Sequence, residues 1–177
     1  HYGHLIIAKD ILEKIEAQKI IFLPNPLPPH KKSFASFPDR INMLNLTIKG
    51  NPEFECSDVE VRLPGPSYTI NTLRAIKKKM NILNISFIIG MDSAVEFNIW
   101  KDPVELLEEF DIIVIPRDGY KKKDVIGRFK KKMIFLNTRR IEISSTEIRE
   151  RIKEGRDIKY LTPDSVIDYI VKKGLYK

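Results

Sequence analysis

The chain has 177 residues, of which 42% are hydrophobic, and this length and composition suit one sizeable core in a single domain. Its formal net charge of +7 suits a polyanionic partner or substrate but does not choose between function classes. Cys56 is the single cysteine, which excludes an intramolecular disulfide, and no 18-residue apolar run predicts a membrane span. We therefore expect a cytoplasmic protein with no membrane partner.

The first predicted element is a helix from about residue 2 to residue 17, and two histidines flank a glycine at its start. His1 and His4 are three positions apart, so they share one face of the first turn. The free backbone N–H groups and the positive end of the helix dipole favour an anion there, and Gly3 has no Cβ to block a phosphate. These residues predict a phosphate site; two solvated histidines at a frayed terminus are the alternative.

The middle of the chain alternates between predicted strands and helices. In the segment after Asp58, Val59 and Val61 are expected to lie on one face of a strand, and Ser67 is expected to cap the next helix. Apolar and β-branched runs predict strands at 19–23, 54–63, 85–89 and 112–115, and periodic patterns predict helices from residue 38 onward and over 68–79.

This alternation predicts an α/β fold: a single Rossmann-like domain whose parallel β-sheet carries helices on both faces. In such folds the ligand crevice lies beyond the carboxyl ends of the strands. Asn25, Gly90, Asp92 and Arg117 follow predicted strands and are therefore expected at that edge. The position of these residues favours a nucleotide-sized ligand.

Residues 144–149 predict the start of another helix near the C-terminal end. Ser144 is the expected N-cap, and Glu147 follows three residues later, as in a capping box. Arg149 offers a planar fork for phosphate oxygens, while the hydroxyls of Ser144 and Thr146 can donate to the same anion. Taken alone, the segment favours a well-capped surface helix with an exposed Arg149.

The two phosphate-type motifs, H-x-G-H and I-S-S-T-x-x-R, resemble in order and separation those of a nucleotidyltransferase superfamily. Four further stretches are similar to the nicotinate-nucleotide adenylyltransferase family, namely 22–31, 66–69, 87–93 and Trp100. Members of that family place a strand and a Gly-x-Phe-Asp-Pro-type loop before H-x-G-H. We therefore expect residues 1–177 to form a single nucleotidyltransferase domain that lacks this extreme N-terminal strand and loop.

The resemblance implies that AMP is transferred from ATP to nicotinate mononucleotide, which forms deamido-NAD (nicotinate adenine dinucleotide) and pyrophosphate in NAD biosynthesis. It implies catalytic roles for His1, His4 and Arg149, and Mg²⁺ held mainly by ATP phosphates and water, since no carboxylate cage of metal-ligand spacing occurs. The residues that it implies for ATP are His1, Gly3, His4, Gly90, Asp92, Arg117, Ser144, Ser145, Thr146 and Arg149. Those that it implies for nicotinate mononucleotide are His30, Lys31, Tyr68, Thr69, Trp100 and Lys101.

Two other interpretations remain open from the sequence. Pantetheine-phosphate adenylyltransferase shares both phosphate motifs, and a basic, non-enzymatic nucleotide- or RNA-binding domain would fit the charge. Aromatic residues are not interleaved with the lysine runs at 77–79, 121–123 and 130–132, which argues against a nucleic-acid surface. A homo-oligomer is compatible with the sequence. The sequence does not determine the oligomeric state, the preference for nicotinate over nicotinamide, the order of substrate binding or the source organism.

Overall fold

The computed structural model describes residues 1–26 and 35–177, which form two compact units. Unit 1 comprises His1–Val61 and Arg139–Lys177, and unit 2 comprises Arg62–Thr138. Every described strand pair is parallel, and helices separate the strands along the chain, so the predicted α/β class is confirmed. The prediction of one domain over residues 1–177 stays a prediction.

The helices and strands are numbered in chain order. The helices are α1 (Tyr2–Lys14), α2 (Phe37–Ile48), α3 (Thr69–Met80), α4 (Met91–Val95), α5 (Pro103–Glu109), α6 (Gly127–Lys130), α7 (Ser145–Lys153) and α8 (Asp164–Lys173). The strands are β1 (Ile20–Phe22), β2 (Phe54–Cys56), β3 (Ser86–Gly90), β4 (Asp111–Ile115) and β5 (Ile134–Phe135). Short 3₁₀ segments cover Val59–Arg62, Phe97–Ile99 and Lys122–Asp124.

The sheet of unit 1 pairs β1 with β2, with Ile20 opposite Phe54. The rings of Phe22 and Phe54 meet edge to face with centroids 5.6 Å apart, which packs the two strands together. Before β2, helix α2 begins at a Ser36 cap, whose Oγ accepts the backbone N–H of Asp39 at 3.2 Å. Helix α2 thus begins at a capped residue, and the chain after it forms β2 parallel to β1.

Residues of helices α2, α7 and α8 contribute to an apolar cluster in unit 1. Ile148 of α7 is buried with Val166 and Ile170 of α8. A polar bond also ties α8 to α2, since the Tyr169 hydroxyl donates to the Asp39 carboxylate at 2.8 Å. The C-terminal helix therefore supports the packing of α7.

Unit 2 is built on the sheet β3-β4-β5. The central strand β4 is buried at Ile112, Ile113 and Val114, as expected for β-branched residues in a parallel sheet covered by helices. On the surface, Arg74 of α3 forms ion pairs with Glu105 and Glu109 of α5. These contacts hold α3, whose first turn carries predicted site residues, against α5.

The predicted strand after Asp58 is wrong. The Asp58 carbonyl accepts the N–H of Val61 at 3.1 Å, so the chain coils into a 3₁₀ turn. Val59 is buried, whereas Val61 is 53% exposed, so the two valines do not share a face. In a strand the Asp58 carbonyl would accept a hydrogen bond from a neighbouring strand. Here it accepts the Val61 N–H, and this local bond forms the turn.

The expected Ser67 cap is also wrong. Helix α3 begins after Tyr68, and its N-terminus has no side-chain cap bond. The Tyr68 N–H donates to the Pro66 carbonyl at 2.8 Å, so a backbone turn leads into the helix instead. Within the described ranges, no helix has both the length and the apolar character that crossing a membrane requires.

Candidate active site

Two imidazoles stack at the start of α1, as their spacing predicts. The ring centroids of His1 and His4 are 3.9 Å apart, with an interplanar angle of 18°. His4 is exposed, and His1 is half-buried. Two ring nitrogens per imidazole thus lie together at a helix N-terminus, where backbone N–H groups add further donors.

Gly3 is buried beneath this stack for a packing reason. A Cβ added to Gly3 would lie 3.0 Å from His1 Nδ1 and 3.3 Å from Cγ2 of Ile141. Both distances are tighter than ordinary contacts, so the absence of a side chain lets α1 meet the segment that leads into α7. The sequence argument considered only the approach of a ligand and missed this contact.

The N-terminus of α7 carries the second predicted group of polar side chains. Ser144 caps the helix as predicted, with its Oγ accepting the Glu147 N–H at 3.0 Å. Arg149 donates from Nη2 to Thr146 Oγ1 at 3.1 Å, which orients the guanidinium toward the first turn. Ser144, Ser145 and Thr146 are exposed, so their hydroxyls are accessible to a ligand.

Backbone contacts join α1 to the segments on both sides of α7. Before α7, the Arg139 N–H donates to the Asp10 carboxylate at 3.1 Å. After α7, the Leu161 carbonyl accepts the N–H of Tyr2 at 3.0 Å. Together with the contact between Gly3 and Ile141, these bonds bring the two motifs from opposite ends of the chain into one unit.

Asp10 was missed by the sequence reasoning because its function depends on a partner 129 positions away. Its carboxylate also accepts from Lys14 Nζ at 2.9 Å. The hydrogen bond from Lys14, supported by the Arg139 backbone, holds the pKa of Asp10 below its ordinary value despite burial. In the sequence, the only signal for a role of Asp10 was its i, i+4 spacing from Lys14.

Tyr176, near the C-terminus, is a second neighbour of the motif that sequence reasoning did not select. Its hydroxyl lies 4.0 Å from Met43 Sδ, and burial raises its pKa. The positive charges of Arg149 and Arg40 oppose that rise. Tyr176 therefore lies within electrostatic reach of Arg149.

Arg40 fixes the chain that leaves β1. Its guanidinium donates to the Asn25 carbonyl at 2.6 Å and to the Pro26 carbonyl at 3.1 Å. Two bonds from one planar group orient this segment at the carboxyl end of β1, where the sequence predicts a ligand crevice. His30 and Lys31, the predicted acceptor residues farther along, lie outside the described residues.

In unit 2, three predicted nucleotide-binding residues lie together after β3 and β4. A Cβ added to Gly90 would overlap the Asp92 carboxylate and would come within 4.0 Å of Arg117 Cβ. A side chain at position 90 would therefore require the Asp92 carboxylate to move away from the end of β3. This close approach gives a local reason for glycine at the end of β3.

The aromatic and polar residues predicted for the acceptor ring also belong to unit 2. Trp100 is half-buried, and its ring centroid lies 5.2 Å from that of Phe97 and 6.2 Å from that of Phe87. Its neighbour Lys101 forms an ion pair with Asp102 at 3.1 Å. Trp100 thus packs against the core on one side and remains partly accessible. Tyr68, 41% exposed, precedes Thr69 at the start of α3.

The described residues contain no group of three or more His, Cys, Asp or Glu side chains placed to hold a metal ion. A divalent cation would therefore need other ligands, such as phosphate oxygens and water. Mg²⁺ is commonly bound in this way, because it retains several waters and takes few protein carboxylates.

The parallel sheets and the polar helix N-termini fit a nucleotidyltransferase, and the comparison of sequences shows that class. The sequence model of the cytidylyltransferase-like family matches residues 1–151. A relative from Caldicellulosiruptor saccharolyticus, a probable nicotinate-nucleotide adenylyltransferase, is 40% identical over 100% of this chain and 93% of its own length. A relative of the same name from Dictyoglomus thermophilum is 38% identical over 99% and 93%. The chain belongs to the nicotinate-nucleotide adenylyltransferase family.

A solved structure supports the fold independently. The chain superposes on the Plasmodium falciparum nicotinic acid mononucleotide adenylyltransferase complexed with NaAD, with a TM-score of 0.74 and 23% identity. The match covers 99% of this chain and 90% of that one. At this identity the likeness shows a shared fold.

Proposed function

We propose that the protein transfers AMP from ATP to nicotinate mononucleotide and forms deamido-NAD and pyrophosphate, a step of NAD biosynthesis. The observation that carries the proposal is the joining, within unit 1, of the stacked His1 and His4 to the segment that leads into the Ser144-capped helix. Membership of the nicotinate-nucleotide adenylyltransferase family supports the choice of substrates.

In this reaction a phosphate oxygen of nicotinate mononucleotide attacks the α-phosphorus of ATP. The bond from that phosphorus to the oxygen bridging to the β-phosphate breaks, and pyrophosphate leaves with the electron pair. The attacking oxygen is already anionic, so no protein nucleophile is needed. The barrier arises mainly from bringing two polyanions together and from the charge that moves onto pyrophosphate.

We assign the phosphate-binding roles to the two helix starts of unit 1. His1 and His4 donate to the ATP phosphates through their ring nitrogens. Arg149 pairs with the β- and γ-phosphates through its planar fork, and the hydroxyls of residues 144–146 donate to the same oxygens. These groups neutralise the leaving group as its charge grows.

The remaining roles recognise the organic parts of the two substrates. We assign the adenosine to Gly90, Asp92 and Arg117, with Asp92 accepting from a ribose hydroxyl. We assign the nicotinate ring to Trp100, by stacking, and its carboxylate to backbone donors near Tyr68, Thr69 and Lys101. His30 and Lys31, outside the described residues, are proposed to bind the phosphate of the mononucleotide.

Mg²⁺ fits this site as an ion carried by the substrate, since the described residues offer no cluster of three metal-ligating side chains. When bound, it would neutralise charge on the phosphate oxygens. The hydroxyls of Ser144 and Thr146 would hold it through water. The cytoplasmic location, the absence of a nucleic-acid partner and a homo-oligomeric state stay predictions.

Acceptor choice tests the proposal. The protein is mixed with ATP, Mg²⁺ and, in separate reactions, nicotinate mononucleotide, its amide or phosphopantetheine, and both pyrophosphate and the dinucleotide product are measured. We expect pyrophosphate with nicotinate mononucleotide, less with the amide and none with phosphopantetheine, and His4→Ala should suppress the signal. Release with phosphopantetheine alone would reject the assignment, and RNA binding that weakens steeply with salt but without turnover would favour a binding domain.

A further inference from the structure

Asp10 is a buried carboxylate that stands outside the assigned phosphate site. Only 9% of its side chain is exposed. It accepts from the Arg139 backbone N–H at 3.1 Å and from Lys14 Nζ at 2.9 Å. The Arg139 guanidinium also lies near, with Nε 3.8 Å from Asp10 Oδ1. Burying a carboxylate is costly unless it is paired and hydrogen-bonded, so these partners together favour the charged form of Asp10.

The bond to Arg139 acts on a segment outside the helices and strands. The last backbone bond to the sheet is that of the Leu136 N–H to the Val114 carbonyl, at 3.0 Å, and residues 139–144 belong to no helix or strand. Asp10 supplies one fixed point at Arg139, and the contact between Ile141 and Gly3 supplies another two residues later. Helix α7 begins only four residues beyond Ile141.

The other side of α7 is attached to the same helix. The Leu161 carbonyl accepts the Tyr2 N–H at 3.0 Å, and Leu161 packs against the cluster that buries Ile148 of α7. Helix α7 is therefore held to α1 both before and after its own residues. Two contacts precede α7, at Arg139 and at Ile141, and the one between Asp10 and Arg139 is polar.

Asp10 is too far along α1 to touch the substrate itself. Six residues separate it from His4, which corresponds to about 9 Å along a helix. Its carboxylate faces Arg139 and Lys14. Any influence on the reaction must pass through the backbone of residues 139–144.

We propose that Asp10 is a positioning residue for adenylyl transfer: through the Arg139 amide it sets where the α7 phosphate motif lies relative to the stacked histidines of α1. This inference rests on the proposed function. A displacement of about 1 Å between groups that hold a reacting phosphate can cost on the order of a hundredfold in rate. Asp10 therefore affects turnover rather than recognition of nicotinate mononucleotide.

The test breaks the same bond from each side. Asp10→Ala removes the acceptor, and Arg139→Pro removes the N–H donor while leaving Asp10 and Lys14 in place. Glu13→Ala is the control on α1, since Glu13 is an exposed carboxylate that pairs with Lys9 at 3.7 Å. Arg139→Ala separates the backbone bond from the side chain, because it keeps the N–H and removes only the guanidinium, which is 71% exposed and lies 3.8 Å from Asp10 Oδ1.

We expect kcat to fall about ten- to a hundredfold in Asp10→Ala and Arg139→Pro, with the KM for nicotinate mononucleotide unchanged. Glu13→Ala and Arg139→Ala should both retain the wild-type kcat. Circular dichroism at the assay temperature confirms that the variants are folded, which separates positioning from simple loss of stability. The KM against kcat split is the readout that a purely structural role would leave unchanged.

Three results would overturn the inference. Folded Asp10→Ala and Arg139→Pro with the kcat of the controls would show that the bond does not position α7. Failure of both variants to fold would assign the bond to the fold alone. Wild-type protein that makes no deamido-NAD would reject the proposed function, and the inference with it, whereas an active wild type with silent variants rejects the inference alone.

Discussion

Among the described residues, those assigned to phosphate lie in unit 1, whereas those assigned to adenosine and to the nicotinate ring lie in unit 2. In unit 1 they come from the two ends of the sequence and meet through contacts such as that between Gly3 and Ile141. In unit 2 they come from one continuous stretch, residues 68–117, built around β3 and β4. The placement of the residues assigned to phosphate therefore depends on long-range packing. The placement of those assigned to adenosine and the nicotinate ring depends mainly on local chain geometry.

The largest expected effect lies in unit 1. Arg149→Ala should lower kcat by about a hundredfold or more, since it removes a cationic donor from the leaving group. Arg151→Ala is the matched control on the same helix, because Arg151 pairs with Glu147 at 3.6 Å and has no assigned substrate contact. Steady-state kinetics with both substrates measure the difference. Equal kcat values for the two variants would remove Arg149 from the mechanism.

A smaller effect with a different signature is expected in unit 2. Trp100→Ala should raise the KM for nicotinate mononucleotide by about ten- to a hundredfold, because stacking of one ring contributes about 1–3 kcal/mol. The KM for ATP should change little. Tyr120→Ala removes another partly exposed aromatic ring of unit 2 and serves as the control. A rise in the KM for ATP of the same size would contradict the division of roles.

A smaller effect, on stability, compares the N-terminus of α7 in unit 1 with that of α3 in unit 2. Ser144→Ala should destabilise the protein by about 1 kcal/mol, because α7 loses its side-chain cap. This corresponds to a decrease of about 2–4 °C in Tm for a chain of this size. Ser67→Ala, before the uncapped helix α3, should leave Tm unchanged. Thermal unfolding followed by circular dichroism distinguishes the two, and equal shifts would show that the Ser144 bond contributes little.

The smallest effect concerns pH. The pKa of Asp10 is lower in the folded protein than its ordinary value of 3.8, so the stability that its charge contributes is present above about pH 4. That contribution is lost as the pH falls through the depressed folded pKa. The unfolding free energy of wild type should therefore exceed that of Asp10→Asn near neutral pH, and the gap should narrow in acid. Urea titrations at several pH values measure this difference in unfolding free energy, and Glu13→Gln serves as the comparison. A difference between wild type and Asp10→Asn that stays constant with pH would contradict the explanation.

Local signals in the sequence predicted much of the fold. The apolar period from Tyr2 onward predicted α1, although the helix ends at Lys14, and the β-branched run predicted β4. Ser144 was predicted as a cap because the signal lies within one turn of the chain. Such elements are readable because their stabilising contacts are close in sequence.

Two features were missed, one local and one that depends on a partner far away. Val59 and Val61 alternate as in a strand, but the Val61 N–H donates to the Asp58 carbonyl and forms a turn instead. Asp10 looks like an ordinary surface pair with Lys14 until the Arg139 amide is placed beside it. Periodicity and spacing carry no information on such pairings, so the phosphate residues could be named from motifs, while their supports could not.

The close fit around Gly3 ties the evolution of two positions at opposite ends of the chain. A methyl group at position 3 would require His1 or Ile141 to give way by a few tenths of an ångström. Ile141 can yield only by becoming smaller or by moving the peptide that precedes α7. Lineages that acquire a bulkier residue at one position should therefore trim the other, and sequence drift at these two sites should be correlated although neither is assigned a bond to substrate through its side chain.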